Sequence, residues 1–176
     1  MAKTVGFACS IKLQWIKRTI QLLEEGHDKE SFKKELNDYL SFEIEGPTRL
    51  RKMNMWYYEL DDVSPARKEA LSLIEKYPEY IVPISLCILY LAYPVVADVC
   101  KFMGRMFEAH DEITNAMLKQ KLFDEWGERG TLEATSRRVT LTLKELGLIK
   151  DASRTRYILT KQEITNTEVI NFVIAT

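Results

Sequence analysis

Apolar residues recur at three- and four-residue spacing along most of this chain, the period of a helix with one buried face. Residues 10–25, SIKLQWIKRTIQLLEE, place Ile16, Ile20 and Leu23 on such a face, with Ser10 as a candidate N-cap and Gly26 as a stop. A second helix is expected over 28–41, with Phe32, Leu36 and Tyr39 turned inward. A third begins in GPTRLRKMNMWYYEL, where Gly46 and Pro47 stand at its head. DDVS at 61–64 marks a boundary, after which Ser64 caps and Pro65 opens a helix over 65–76 that buries Ala70, Leu71 and Ile74.

The next stretch, IVPISLCILYLAYPVVADVC at 81–100, is the most apolar of the chain and holds one charge, Asp98. A membrane helix needs about 20 uninterrupted apolar residues. Pro83 and Pro94 divide this run, and a helix over 83–93 reaches only about 16 Å, half a bilayer. Beyond Pro94 the pattern turns amphipathic, with Asp98, Lys101, Arg105 and Glu108 opposite Val95, Val99, Phe102 and Met106. Two helices of a protein with no membrane partner are therefore expected. Asp111 then caps a helix reaching Trp126, Gly127 and Gly130 bracket a turn, and no strand signal occurs before residue 148.

Residues 131–160, TLEATSRRVTLTLKELGLIKDASRTRYILT, carry the most functional information. Thr131 can cap a helix whose buried stripe is Leu132, Val139, Leu143 and Leu146, ended by Gly147 with Leu148 folding back in a Schellman-like closure. The other stripe carries Glu133, Arg137, Thr140 and Lys144. Two β-prone runs follow, Leu148–Lys150 and Arg156–Thr160, joined by Asp151, Ala152 and Ser153. Helix, glycine stop and basic-tipped hairpin come in the order of the end of a winged helix-turn-helix. Arg137, Thr140 and Lys144 suit base edges and phosphates in a major groove, and Lys150, Arg154 and Arg156 suit a backbone-contacting wing. Winged helices also serve as protein-interaction modules, and cations on an exposed helix are often only solvated.

Composition sharpens this picture. The chain has 176 residues, 46% hydrophobic and 29% charged, the balance of an ordinary globular protein. Its net charge of −1 excludes a surface coated in cations for nucleic acid, yet residues 137–161 hold seven basic and two acidic residues. A second basic cluster, Arg49, Arg51 and Lys52, heads the third helix. Three cysteines without C-x-x-C spacing fit a reduced, cytoplasmic protein. Residues 1–15 contain no signal-peptide core, and Ala2 stands where myristoylation requires glycine. His27 and His110 lack metal-ligand spacing, and no P-loop, G-x-S-x-G or H-E-x-x-H occurs, so the expectation is a non-catalytic protein without cofactor or metal. The acids Glu24, Glu25, Glu59, Asp61 and Asp62 read as capping and solvation. Trp56, Tyr57 and Tyr58 can stack on bases or seal a helix against its neighbours.

The succession KRTIQLLEEGHDKESFKKEL, GPTRLRKM, YPEYIVPISLCILYLAYP and TSRRVTLTLKELGLIK resembles the BrxA family of BREX bacteriophage-exclusion systems, small helical proteins also labelled putative inner-membrane proteins. The resemblance implies a helical cytoplasmic protein that binds double-stranded DNA beside other phage-defence subunits. It implies DNA contacts at Arg49, Arg51 and Lys52 and at Arg137, Arg138 and Lys144. The chain departs from that pattern in being slightly acidic and without an extended basic tail, which leaves a subunit role open. The combined expectation is a mostly α fold, a helical bundle with a C-terminal winged-helix-like part. Residues 1–62 would form an N-terminal helix-turn-helix-like subdomain and 63–176 the helical core and wing. The function expected is DNA binding, with a scaffold subunit or transcriptional regulator, docking a partner through the wing, as the alternative.

Overall fold

A computed structural model describes residue 7 and residues 9–42, 65–128 and 130–176. In chain order the elements are α1 (Leu13–Glu24), α2 (Lys29–Ser41), α3 (Pro65–Lys76), a 3-10 turn (Pro78–Tyr80), α4 (Ile81–Ala92), α5 (Pro94–Ala109), β1 (Glu112–Thr114), α6 (Asn115–Trp126), α7 (Gly130–Glu145), β2 (Ile149–Ser153), β3 (Arg156–Leu159) and α8 (Thr167–Ala175). The protein is mostly helical, with one small antiparallel sheet of order β1-β3-β2. No helix among the described residues is long and apolar enough to cross a membrane. The expected third helix, Arg49, Arg51, Lys52, the Trp56–Tyr58 cluster and the boundary at 61–64 lie outside the described residues.

The chain divides into two compact units. One takes in Tyr93–Glu163 with the residues up to Ser10, and the other Ile11–Ala92 with Ile164–Thr176. The division at Ala92 falls inside the apolar run. The residue before a proline is driven out of the helical region, and Tyr93, at φ −133° and ψ 96°, ends α4 for that reason. Pro83 does not open α4, because the 3-10 turn leads into it two residues earlier at Ile81. A first-turn proline sacrifices no intrahelical bond, since those N–H groups have no partner within the helix.

In the second unit α1 packs on α2, and α4 packs on α3 and α8. Several caps and faces differ from expectation. Lys12 rather than Ser10 precedes α1, without a side-chain cap. Asp28 caps α2, its carboxylate accepting from the Ser31 N–H at 2.8 Å. Leu40 joins Phe32 and Leu36 in the core while Tyr39 stays at its edge, and on α3 Leu73 is buried where Leu71 was expected. Glu168 at the head of α8 accepts from the Tyr77 hydroxyl at 3.0 Å and pairs with Lys76 at 3.4 Å, tying that short helix to the end of α3.

In the first unit the charged stripe of α5 leaves Val95, Val96, Val99, Met103 and Met106 buried. Asp98 belongs only partly to that stripe, since its carboxylate accepts from the Trp126 indole N–H at 2.8 Å and so joins α5 to α6. Asp111 does not cap α6. Glu112–Thr114 forms a strand instead, and Thr114 caps, its hydroxyl accepting from the Met117 N–H at 3.2 Å. Three residues are too few for alternation to stand out in sequence, and Ile113 becomes a strand residue because it pairs with Tyr157 of β3.

Helix α7 starts one residue before Thr131, which lies inside it. Its end is a Schellman motif: the Leu148 N–H donates to the Leu143 carbonyl and the Gly147 N–H to the Lys144 carbonyl, both at 2.9 Å. Gly147 sits at φ +71°. The hairpin is tighter than expected, since Asp151–Ser153 belong to β2 and the turn is Arg154–Thr155. Ala152 forms a bulge, because Asp151 pairs with Tyr157 and Ser153 with Arg156.

Nothing lies within 4 Å of a Cβ placed on Gly147, so Gly147→Ala meets only the left-handed backbone penalty and should lower unfolding free energy by about 1–2 kcal/mol in urea titrations. Burial pushes the Cys87 thiol up from 9.0 to about 11, against smaller opposing hydrogen bonds to Thr176 and the helix backbone. Between those values the unfolded chain loses this proton and the fold keeps it, so the residue's contribution to stability falls as pH rises. The stability gap between the natural protein and Cys87→Ala should therefore be smaller at pH ~10.5 than at pH ~8.

Candidate nucleic-acid interface

A groove of about 850 Å³ opens on the Tyr93–Glu163 unit, bounded by the head of α6, the outer face of α7 and the β2–β3 hairpin. Asn115, Ala116 and Lys119 come from α6. Helix α7 supplies Glu133, Arg137, Leu141 and Lys144, while Asp151 and Arg154 approach from the hairpin. The α7 residues share a face because they recur at helical spacing, and the Schellman closure at Gly147 turns the chain so that β2 runs back beside them.

Four cations and two carboxylates face this groove, and their pairing decides its character. Lys119 binds Glu133 at 2.7 Å while its ammonium lies 5.2 Å from the Phe123 ring centre. Lys144 binds Asp151 at 2.6 Å. Each acid is thereby matched by a lysine. Glu133 stands one turn before Arg137, where an ion pair along the helix is favourable, but its carboxylate is taken up by Lys119. Among the described residues neither Arg137 nor Arg154 has an ion-pair or hydrogen-bond partner, so the groove keeps two uncommitted guanidinium groups.

The sequence-derived residues thus separate. Arg137 and Arg154 are exposed and line the groove, and Lys144 lines it while bound to Asp151. Thr140 also lines the groove, but it is 2% exposed and its hydroxyl donates to the Ser136 carbonyl at 3.0 Å. Arg138 is half-buried and off the groove lining. Lys150 is exposed but lies on the opposite hairpin face from Asp151, since side chains alternate along a strand. Arg156 pairs with Glu112 of β1 at 3.0 Å, a bond across the sheet.

Sequence reasoning missed Lys119 and the head of α6. No local signal marks them: Lys119 lies 14 residues from Glu133, a separation that only the packing of α6 on α7 closes. A second groove, between α5 and α6, has Phe102, Met106 and Met117 in its wall with Arg105, Lys121 and Asp124 around them. Among the described residues no group of three histidine, cysteine or acidic side chains could hold a metal ion. Comparisons with protein-family models, curated proteins and solved structures find no match.

Proposed function

We propose that the Tyr93–Glu163 unit is a winged helix-turn-helix that binds duplex DNA, and that the protein is a non-catalytic, cytoplasmic DNA-binding component of a bacterial phage-defence system of the BREX type. The element order supports the first part. Helix α5, strand β1, helices α6 and α7, then β2 and β3 in a sheet ordered β1-β3-β2 follow the winged-helix plan. In this reading α7 is the recognition helix and the hairpin the wing. The BrxA-like sequence pattern supports the second part, with Arg49, Arg51 and Lys52 as a further basic contact.

The observation that carries the proposal is the pair of uncommitted arginines, Arg137 on the helix and Arg154 at the hairpin tip, on either side of one groove. A duplex lying there would meet a cation from each wall. The adjoining carboxylates, already matched by lysines, would keep affinity modest. The groove between α5 and α6, with Phe102, Met106 and Met117, favours the other reading, a scaffold or regulator that docks a partner subunit.

Fluorescence anisotropy with a labelled duplex tests the DNA reading. If about four phosphates are neutralised, affinity should fall by roughly a hundredfold between about 50 and 200 mM salt. Arg137→Ala with Arg154→Ala should flatten the log–log salt slope by about two. Asp151→Asn should tighten binding by removing a carboxylate from the groove. Absence of duplex binding at about 50 mM salt overturns the proposal, and salt-insensitive capture of a partner protein by the double variant favours the scaffold instead.

A further inference from the structure

On α7 the residues 133, 137 and 141 recur at intervals of four and form one stripe of the groove wall: a carboxylate bound to Lys119, a free guanidinium, and an apolar side chain. Leu141 is the unexpected member. It is 39% exposed, between Arg137 and Lys144, where a groove that only neutralised phosphates would carry a polar or charged side chain. Two neighbouring polar groups on α7 are already engaged, Thr140 with the Ser136 carbonyl and Lys144 with Asp151. Arg137 and Leu141 are therefore what this stripe offers to a base edge.

We infer that α7 reads sequence, with Arg137 donating two hydrogen bonds to the O6 and N7 of a guanine and Leu141 packing against the C5-methyl of a nearby thymine. This rests on the DNA-binding reading above and adds to it a base preference. The guanidinium fork fits the two acceptors of guanine in the major groove, and an apolar side chain distinguishes thymine by its methyl group. Four residues along the helix advance about 6 Å, between one and two base-pair rises of about 3.4 Å, so the two bases lie one or two steps apart. The Lys119–Glu133 pair is a positioning element. By occupying Glu133 it prevents the carboxylate from capturing the arginine one turn away.

Selection of bound duplexes from a randomised pool, with the full-length protein, tests this. The natural protein should enrich one guanine position and one thymine position one or two steps from it. Arg137→Lys keeps the charge but not the fork, so it should hold overall affinity within a few-fold while losing the guanine preference, a discrimination of about five- to a hundredfold. Replacing the preferred thymine by uracil removes only the methyl group. It should weaken the natural protein about fourfold and leave Leu141→Ala unaffected. Both substituted side chains are at the surface, and circular dichroism checks that the variants fold. Salt-dependent binding with no enriched position, or a guanine preference that survives Arg137→Lys, overturns the base readout while the DNA-binding function stands. If no duplex binds, both fall.

Discussion

The central place of β3 in the sheet organises the unit that carries the groove. Its residues bond to β1 on one side and to β2 on the other, and Arg156 of β3 reaches Glu112 of β1 across 44 residues of sequence. Between those two partners the chain must travel out along α6 and return along α7. A sheet closed in this way fixes both ends of the helix pair, and the strand that follows α7 can then lie only beside the helix face it has just left. Ile113, fully buried against Tyr157, supplies the apolar side of the same closure. Loss of this pairing would free β1, and with it the start of α6 and one wall of the groove.

Electrostatics in the groove is a matter of pairing more than of total charge. The segment 137–161 has an excess of cations, yet Lys144 and Arg156 are occupied by Asp151 and Glu112. Such exposed pairs contribute little to stability, on the order of 0–1 kcal/mol each. Their consequence is positional: a lysine held against a carboxylate offers a phosphate less than a free arginine does. The availability of Arg137 and Arg154 follows from which acids the fold gives to the lysines.

Legibility varied by element, and each case has a physical cause. The two helices of the apolar run were readable because proline acts on its immediate neighbours, and Tyr93 leaves the helical region whatever surrounds it. Gly147 was readable for the same local reason, as the left-handed residue that ends α7. Strand β1 was not, because three residues acquire strand geometry only from a partner far along the chain. The burial of Thr140 was not legible, because helical periodicity marks which residues share a stripe but not how deep each one sits once neighbours pack. Of the site, Arg137 and Arg154 were legible as exposed cations, whereas Lys119 was invisible until α6 packed on α7.

The sequence by itself therefore determined most of the described helices, though not α8, together with the breaks at Pro94 and Gly147 and the concentration of positive charge near the last hairpin, since each is set by short-range sterics or composition. Tertiary structure alone decided the order of the sheet, the division of the chain near Ala92 and the pairing of Lys119 with Glu133 and Lys144 with Asp151. Strand pairing and ion pairing act over a few ångströms in space between residues remote in sequence, and only the folded chain brings them within that range.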